Sequence, residues 1–131
     1  FADHGWPSYS TTISCMEDTV KNRPKAMEAF VKGTMEGWKS FLADPAPAAA
    51  LIKKDNPNMT DEQLAYSVAK LKEMGIVTGG GATKSGIGSI DMERAKANYS
   101  FLVDNKLIDA GKVKLEDAYR LQFIKDLRVM P

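Results

Sequence analysis

Between positions 22 and 45, apolar side chains return every third or fourth residue. Met27, Phe30, Val31, Thr34, Met35, Trp38, Phe41 and Leu42 fall at i, i+3, i+4, i+7, i+8, i+11, i+14 and i+15. That spacing is one face of a 3.6-residue period, so NRPKAMEAFVKGTMEGWKSFLADP predicts one complete amphipathic helix. Pro24 sits in the first turn, where its missing N–H would have had no intrahelical partner, and Asp44-Pro45 stops the helix.

Further helices follow, divided by strong punctuation. Asp44 can cap a second helix with Pro45 at its first position, running through Ala48, Ala49, Leu51 and Ile52 to about Lys54. After the turn DNPN, Thr60 and Gln63 form a capping-box pattern, with Asp61 and Glu62 in the first turn where carboxylates suit the helix dipole. Leu64, Val68, Leu71 and Met74 make its apolar stripe, and Gly75 closes it. Asp91 begins another helix with Met92, Ala95, Tyr99, Leu102 and Val103 as the apolar face and Asn105 as its end; Leu107 and Ile108 are expected to pack just beyond. In the tail from Leu115, Ala118, Tyr119, Phe123 and Ile124 are expected to be buried and residues 127–131 extended.

Ahead of the first helix the period changes to two. Over residues 10–16, Thr11, Ile13 and Cys15 fall on one face and Thr12, Ser14 and Met16 on the other, which predicts a strand with Cys15 as a small buried side chain. Cys15 is the only cysteine, so no internal disulfide can form, and no basic residue adjoins it in sequence to lower its pKa.

The first helix also carries a recognisable pattern. A proline-started helix of the form P-x-x-x-x-x-F-x-x-x-x-x-x-G-W, then x-x-x-L-A-x-P and an alanine-rich segment, resembles the C-terminal part of bacterial ABC-transporter solute-binding proteins. The group is the one serving nitrate, sulfonates, taurine, riboflavin and the pyrimidine precursor of thiamine. GWPSYSTTISCMEDTV is similar to the β-segment that precedes the helix in that family, GIGSIDMERAKANYSFLVDNKLI resembles a later helix, and the tail from Leu115 resembles its short final helix, so the likeness covers most of the chain. It implies an α-rich α+β fragment of about five helices with one or two short strands. That fragment is part of a two-lobed, type 2 periplasmic-binding-protein-like α/β fold. Family members are considerably longer, so the resemblance makes this chain a single-domain C-terminal fragment that needs its missing N-terminal part. It further implies a small-molecule solute held between lobes, delivery to an ABC permease in the membrane, and a periplasmic or lipid-anchored extracellular location. No enzymatic activity and no cofactor are implied.

Composition narrows this picture from another side. The chain has 131 residues, 44% of them hydrophobic and 27% charged, enough for one domain around one core. Eighteen basic residues face seventeen acidic ones, net +1, and the signs are interleaved, so neither nucleic acid nor an anionic membrane is indicated as a partner. No run approaches the roughly 18 apolar residues that span a bilayer, and the opening FADHGWPSYS has no charged or apolar leader. A helical cover cut from its sheet would leave apolar faces bare, so the isolated fragment is expected to pair with another copy or aggregate.

Catalytic chemistry finds little to work with. Residues 78–89, TGGGATKSGIGS, form a glycine-rich loop, yet Thr83 stands where a P-loop needs glycine before Lys84-Ser85, and neither glycine pair completes G-x-G-x-x-G. The loop reads as a mobile surface connection, long enough to lie at a cleft edge or hinge. His4 is the only histidine, and neither Ser8 nor Ser10 lies in a nucleophile elbow, so a triad has no support. One cysteine and one histidine make no zinc site, and residues 55–61 lack calcium-loop spacing. Fungal relatives of the family synthesise the thiamine pyrimidine by consuming an active-site histidine; this chain shows no match to that signature.

Ligand contact has a better candidate. Two-lobed receptors grip a solute with aromatic, hydroxyl and backbone groups near the crossovers between lobes. Trp6, Ser8, Tyr9 and Ser10 combine two aromatics and two hydroxyls just before the predicted strand, and a flat ring would suit stacking on Trp6 or Tyr9. The plainer reading is that both rings cover the edge of the core; for Trp38, on the helix stripe, core or interlobe packing is expected. A reading from a different class is a free-standing helical adaptor that takes a partner helix into an apolar groove. The predicted strand separates the two, because a self-sufficient bundle has no use for it.

Overall fold

The computed structural model describes residues 5–9 and 11–131. Among them are seven α-helices and no strand: α1 (Glu17–Asn22), α2 (Pro24–Ala43), α3 (Ala46–Asp55), α4 (Asp61–Glu73), α5 (Ala82–Ser85), α6 (Met92–Asp104) and α7 (Leu115–Ala118), with a 3-10 turn at Leu121–Phe123.

Local chemistry sets most boundaries. The α4 capping box is complete: Gln63 N–H donates to Thr60 Oγ1 at 3.1 Å, and Thr60 N–H donates to Gln63 Oε1 at 2.9 Å. At the other end Gly75 takes φ +58° and Ile76 N–H reaches back to Leu71 O at 3.1 Å, the hydrogen bond of a Schellman stop. Helix α6 ends the same way, Leu107 N–H donating to Leu102 O at 2.8 Å, but with Lys106 in the left-handed conformation at φ +58°. Helix α3 starts one residue later than expected: Pro45 is its N-cap, its carbonyl accepting from Ala49 N–H at 2.8 Å, and Asp44, just outside, accepts from Ala46 N–H at 3.2 Å through Oδ1.

The core is thin and belongs mainly to α2. Met27, Val31, Met35 and Leu42 are buried with Leu64 of α4, Ala82 of α5, Ile87 and Ala95 of α6. They form only one side of the expected stripe: Phe30 is 60% exposed and Trp38 37%. A stripe this wide spans more than one neighbour can cover, and α3 leaves the second flank partly open. Leu51, Met74 and Leu107, expected to pack, are also exposed, as is Ala118.

Three expectations need correction. Residues 11–16 form no strand; they are exposed, and no backbone group of residues 11–15 hydrogen-bonds to a described residue. Alternation is a property that a sheet partner must complete, and no such partner occurs among the described residues. Cys15 is therefore an exposed free thiol and not a buried one. The glycine-rich connection is also more structured than a mobile loop, holding α5 and two buried side chains, Ala82 and Ile87.

The C-terminal tail fastens that connection. Ile87 N–H donates to Val129 O at 2.8 Å, and Arg128 Nη2 donates to Lys84 O at 3.2 Å. Gly86 makes this approach possible: at φ +97°, a Cβ there would stand 3.1 Å from Val129 N. A second long-range tie joins α1 to the chain after α7, where Arg120 Nη2 donates to both carboxylate oxygens of Glu17 at 3.0 and 2.9 Å.

Candidate functional site

Three of the four residues read as ligand contacts, Trp6, Ser8 and Tyr9, lie together against α6; Ser10, like His4, is outside the described residues. The helix offers them Asp91, Arg94, Asn98 and Phe101, at i, i+3, i+7 and i+10, a polar and aromatic stripe beside its apolar face.

Trp6 is half-buried and stacks on Phe101, with centroids 5.7 Å apart and planes 13° from parallel. Its Nε1–H donates to Asn98 Oδ1 at 2.7 Å, and Asn98 Nδ2 donates to Tyr119 Oη at 3.0 Å. An indole buried on its ring face with its N–H satisfied is the arrangement that makes tryptophan favourable at a half-wet contact.

Tyr9 sits about two helical turns nearer the α6 start. Its Oη accepts from Asp91 N–H at 2.8 Å, while Asp91 Oδ1 caps the helix by accepting from Glu93 N–H at 2.8 Å. Arg94 binds the segment from above: its Cζ lies 4.3 Å from the Tyr9 ring centroid, Nε–H donates to Pro7 O at 2.9 Å, and Nη2 donates to Ser8 O at 2.8 Å. Ser8 thus contributes its carbonyl, and its hydroxyl has no partner among the described residues.

Electrostatics here is local. On the exposed side of α6 Lys96 Nζ donates to Glu93 Oε1 at 2.8 Å, and that hydrogen bond, reinforced by the carboxylate charge, holds the ammonium above its ordinary pKa. Among the described residues no three of His, Cys, Asp and Glu converge as metal ligands, and no helix is long and apolar enough to cross a membrane.

The clasp residues Arg94, Asn98, Phe101 and Tyr119 were not singled out as site candidates from the sequence. The i, i+3, i+7, i+10 spacing of Asp91, Arg94, Asn98 and Phe101 was available as a signal, but the apolar face through Ala95 and Leu102 is the stronger periodicity and drew the assignment.

A second feature is apolar. Thr34, Gly37, Trp38 and Phe41 of α2 and Ala48 and Ile52 of α3 line an open groove of about 290 Å³, in which Trp38 and Phe41 meet edge to face at 5.9 Å. No protein-family model matches the chain, and no curated protein and no solved structure matches it.

Proposed function

We propose that this chain is the C-terminal helical part of a solute-binding protein of an ABC uptake transporter, working in the periplasm or tethered outside the cell. In this reading the complete receptor closes on a small solute between two lobes and the closed form docks on the membrane permease. The observation that carries the proposal is uncovered surface. The chain exposes 9562 Å², against roughly 6,800 Å² for a folded monomer of its 14.4 kDa mass. Exposed Ile13, Phe30, Trp38, Leu51, Tyr66 and Met74 belong to that excess. A sheet and second lobe would cover such faces and would supply the partner that residues 11–16 lack among the described residues. The Ser8 hydroxyl, without a partner among the described residues, and the outer edges of Trp6 and Tyr9 are the contacts this part would lend to the cleft.

The test is a thermal-shift screen of the full-length parent beside the 131-residue chain, against nitrate, alkyl sulfonates, taurine, riboflavin and pyrimidine precursors. A solute that raises the melting temperature of the parent alone is the expected result. No shift of the parent with any of them rejects the proposal.

One observation favours the adaptor reading instead: residues 11–16 form no strand, and the α2–α3 groove is open to an amphipathic helix. A well-folded chain in the failed screen would turn the assignment toward that class.

A further inference from the structure

The segment clasped by α6 joins the rest of the chain through a connection with little to hold it. Residues 11–16 are exposed, and no backbone group of residues 11–15 hydrogen-bonds to a described residue. Past this connection the chain is anchored again, because α1 opens on Glu17, whose two carboxylate oxygens are held by Arg120 Nη2 at 3.0 and 2.9 Å. Residues 5–9 are therefore an arm, seated at one end and rooted at the other, with a free hinge between.

The seat is complete without the hinge. Phe101 takes the face of Trp6, Asn98 Oδ1 accepts its N–H at 2.7 Å, and Asp91 N–H donates to Tyr9 Oη at 2.8 Å. Arg94 donates to Pro7 O at 2.9 Å and to Ser8 O at 2.8 Å. Each of these contacts runs between residues 5–9 and α6, so the same residues of a second copy would remake them on that helix. Two aromatic side chains make the seat selective, and a planar guanidinium on two successive carbonyls fixes the direction of the segment, as in the recognition of an extended peptide. An identical element on a free hinge is the low-cost way for one copy to supply it to another. Reach is sufficient: residues 10–16 span up to about 25 Å when extended, more than the roughly 20 Å length of the 13-residue α6.

We propose that residues 5–9 exchange between two copies of this chain, each arm seating on the α6 of the other across a two-fold axis. The tether holds an arm near its own seat at an effective concentration of about a millimolar, so the closed form prevails in dilute solution and the exchanged pair forms as the protein approaches that concentration. The inference goes beyond the transport reading and does not rest on it, since arm, hinge and seat all belong to this chain.

The experiment mixes two defective chains. One carries Trp6→Ala, an impaired arm beside an intact seat; the other carries Arg94→Glu, an intact arm beside a seat whose new carboxylate repels the Pro7 and Ser8 carbonyls. With the Trp6→Ala chain ¹⁵N-labelled, addition of the unlabelled Arg94→Glu chain is expected to shift the amides of residues 91, 94, 98 and 101. Half-saturation should fall about tenfold below the millimolar range of the unaltered chain, because neither tethered arm competes well. With the labels reversed, the Trp6 indole N–H should move to its position in the unaltered chain. Should Trp6→Ala fail to fold, Trp6→Phe, which keeps a ring for stacking and loses the bond to Asn98, takes its place. A Trp6→Ala/Arg94→Glu chain as the unlabelled partner should leave the seat unchanged. Absence of any seat shift at millimolar partner overturns the proposal. An equal shift from the doubly defective partner also overturns it, because association would then run through another surface and leave each arm at home.

Discussion

Trp6 and Trp38 have the same side chain in opposite circumstances. Trp6 lies in an irregular segment, yet its ring is stacked on Phe101 and its N–H is taken by Asn98. Trp38 lies mid-stripe on the longest helix, yet it is 37% exposed and its N–H has no partner among the described residues. Periodicity tells which side chains share a face. It does not tell whether anything covers that face, whereas a chain of specific polar contacts such as Trp6 to Asn98 to Tyr119 exists only when both partners are already in place. The clasp is thus closed within the chain, and the outer flank of α2 is exposed.

The largest effect that tests this contrast is expected at the clasp. Trp6→Ala removes a stacked ring and leaves Asn98 with an unpaired amide oxygen, a loss of about 2–3 kcal/mol for a half-buried tryptophan, read as a lower urea midpoint. Trp38→Ala should cost less than half as much. Equal losses at the two positions would break the comparison, because the outer flank would then be holding the fold as strongly as the clasp.

The two regions also differ in how much of them the sequence reveals. Helices α2, α4 and α6 were legible because their ends are local chemistry: Pro24, the Thr60/Gln63 box, Gly75 and Asp91 act within a turn of themselves. Helix α3 was legible to within one residue through Asp44 and Pro45. Short α1 and α5 were not, since six and four residues carry too little periodicity to register. The strand expected over residues 10–16 rests on alternation and on a resemblance to a family β-segment, and alternation needs a partner from elsewhere. At the candidate site, Trp6, Ser8 and Tyr9 lie together because they adjoin in sequence; Arg94 and Asn98, more than eighty residues away, could be assigned to them only through tertiary structure.

A smaller effect sharpens what closes the clasp. Arg94→Ala deletes hydrogen bonds to Pro7 O and Ser8 O and the cation over Tyr9, all in a solvent-exposed setting, so about 1–2 kcal/mol is expected. Arg94→Lys separates charge from geometry. An ammonium can sit over the ring, but it cannot present the planar fork that reaches two successive carbonyls. Recovery of less than half the loss, measured by the same unfolding curves and by faster exchange of the Trp6 indole N–H, is the expected outcome; full recovery would assign the contact to charge alone.

The smallest effect on stability belongs to the outer flank and carries the most weight for function. Phe30 is 60% exposed, so Phe30→Ser removes little buried area, and serine and phenylalanine have similar helix propensity. The unfolding free energy should therefore stay within about 0.5 kcal/mol of the original. Association should respond differently. A bare apolar flank running from Phe30 to Trp38 and on to Ile52 favours contact with any surface that shields it from water, including a second copy. Sedimentation across a concentration series should show self-association of the original chain and a clear reduction in the Phe30→Ser chain at unchanged stability. If the original chain sediments as a monomer at high concentration, the flank is satisfied as it stands. The uncovered surface would then lose its force as a sign of a missing lobe.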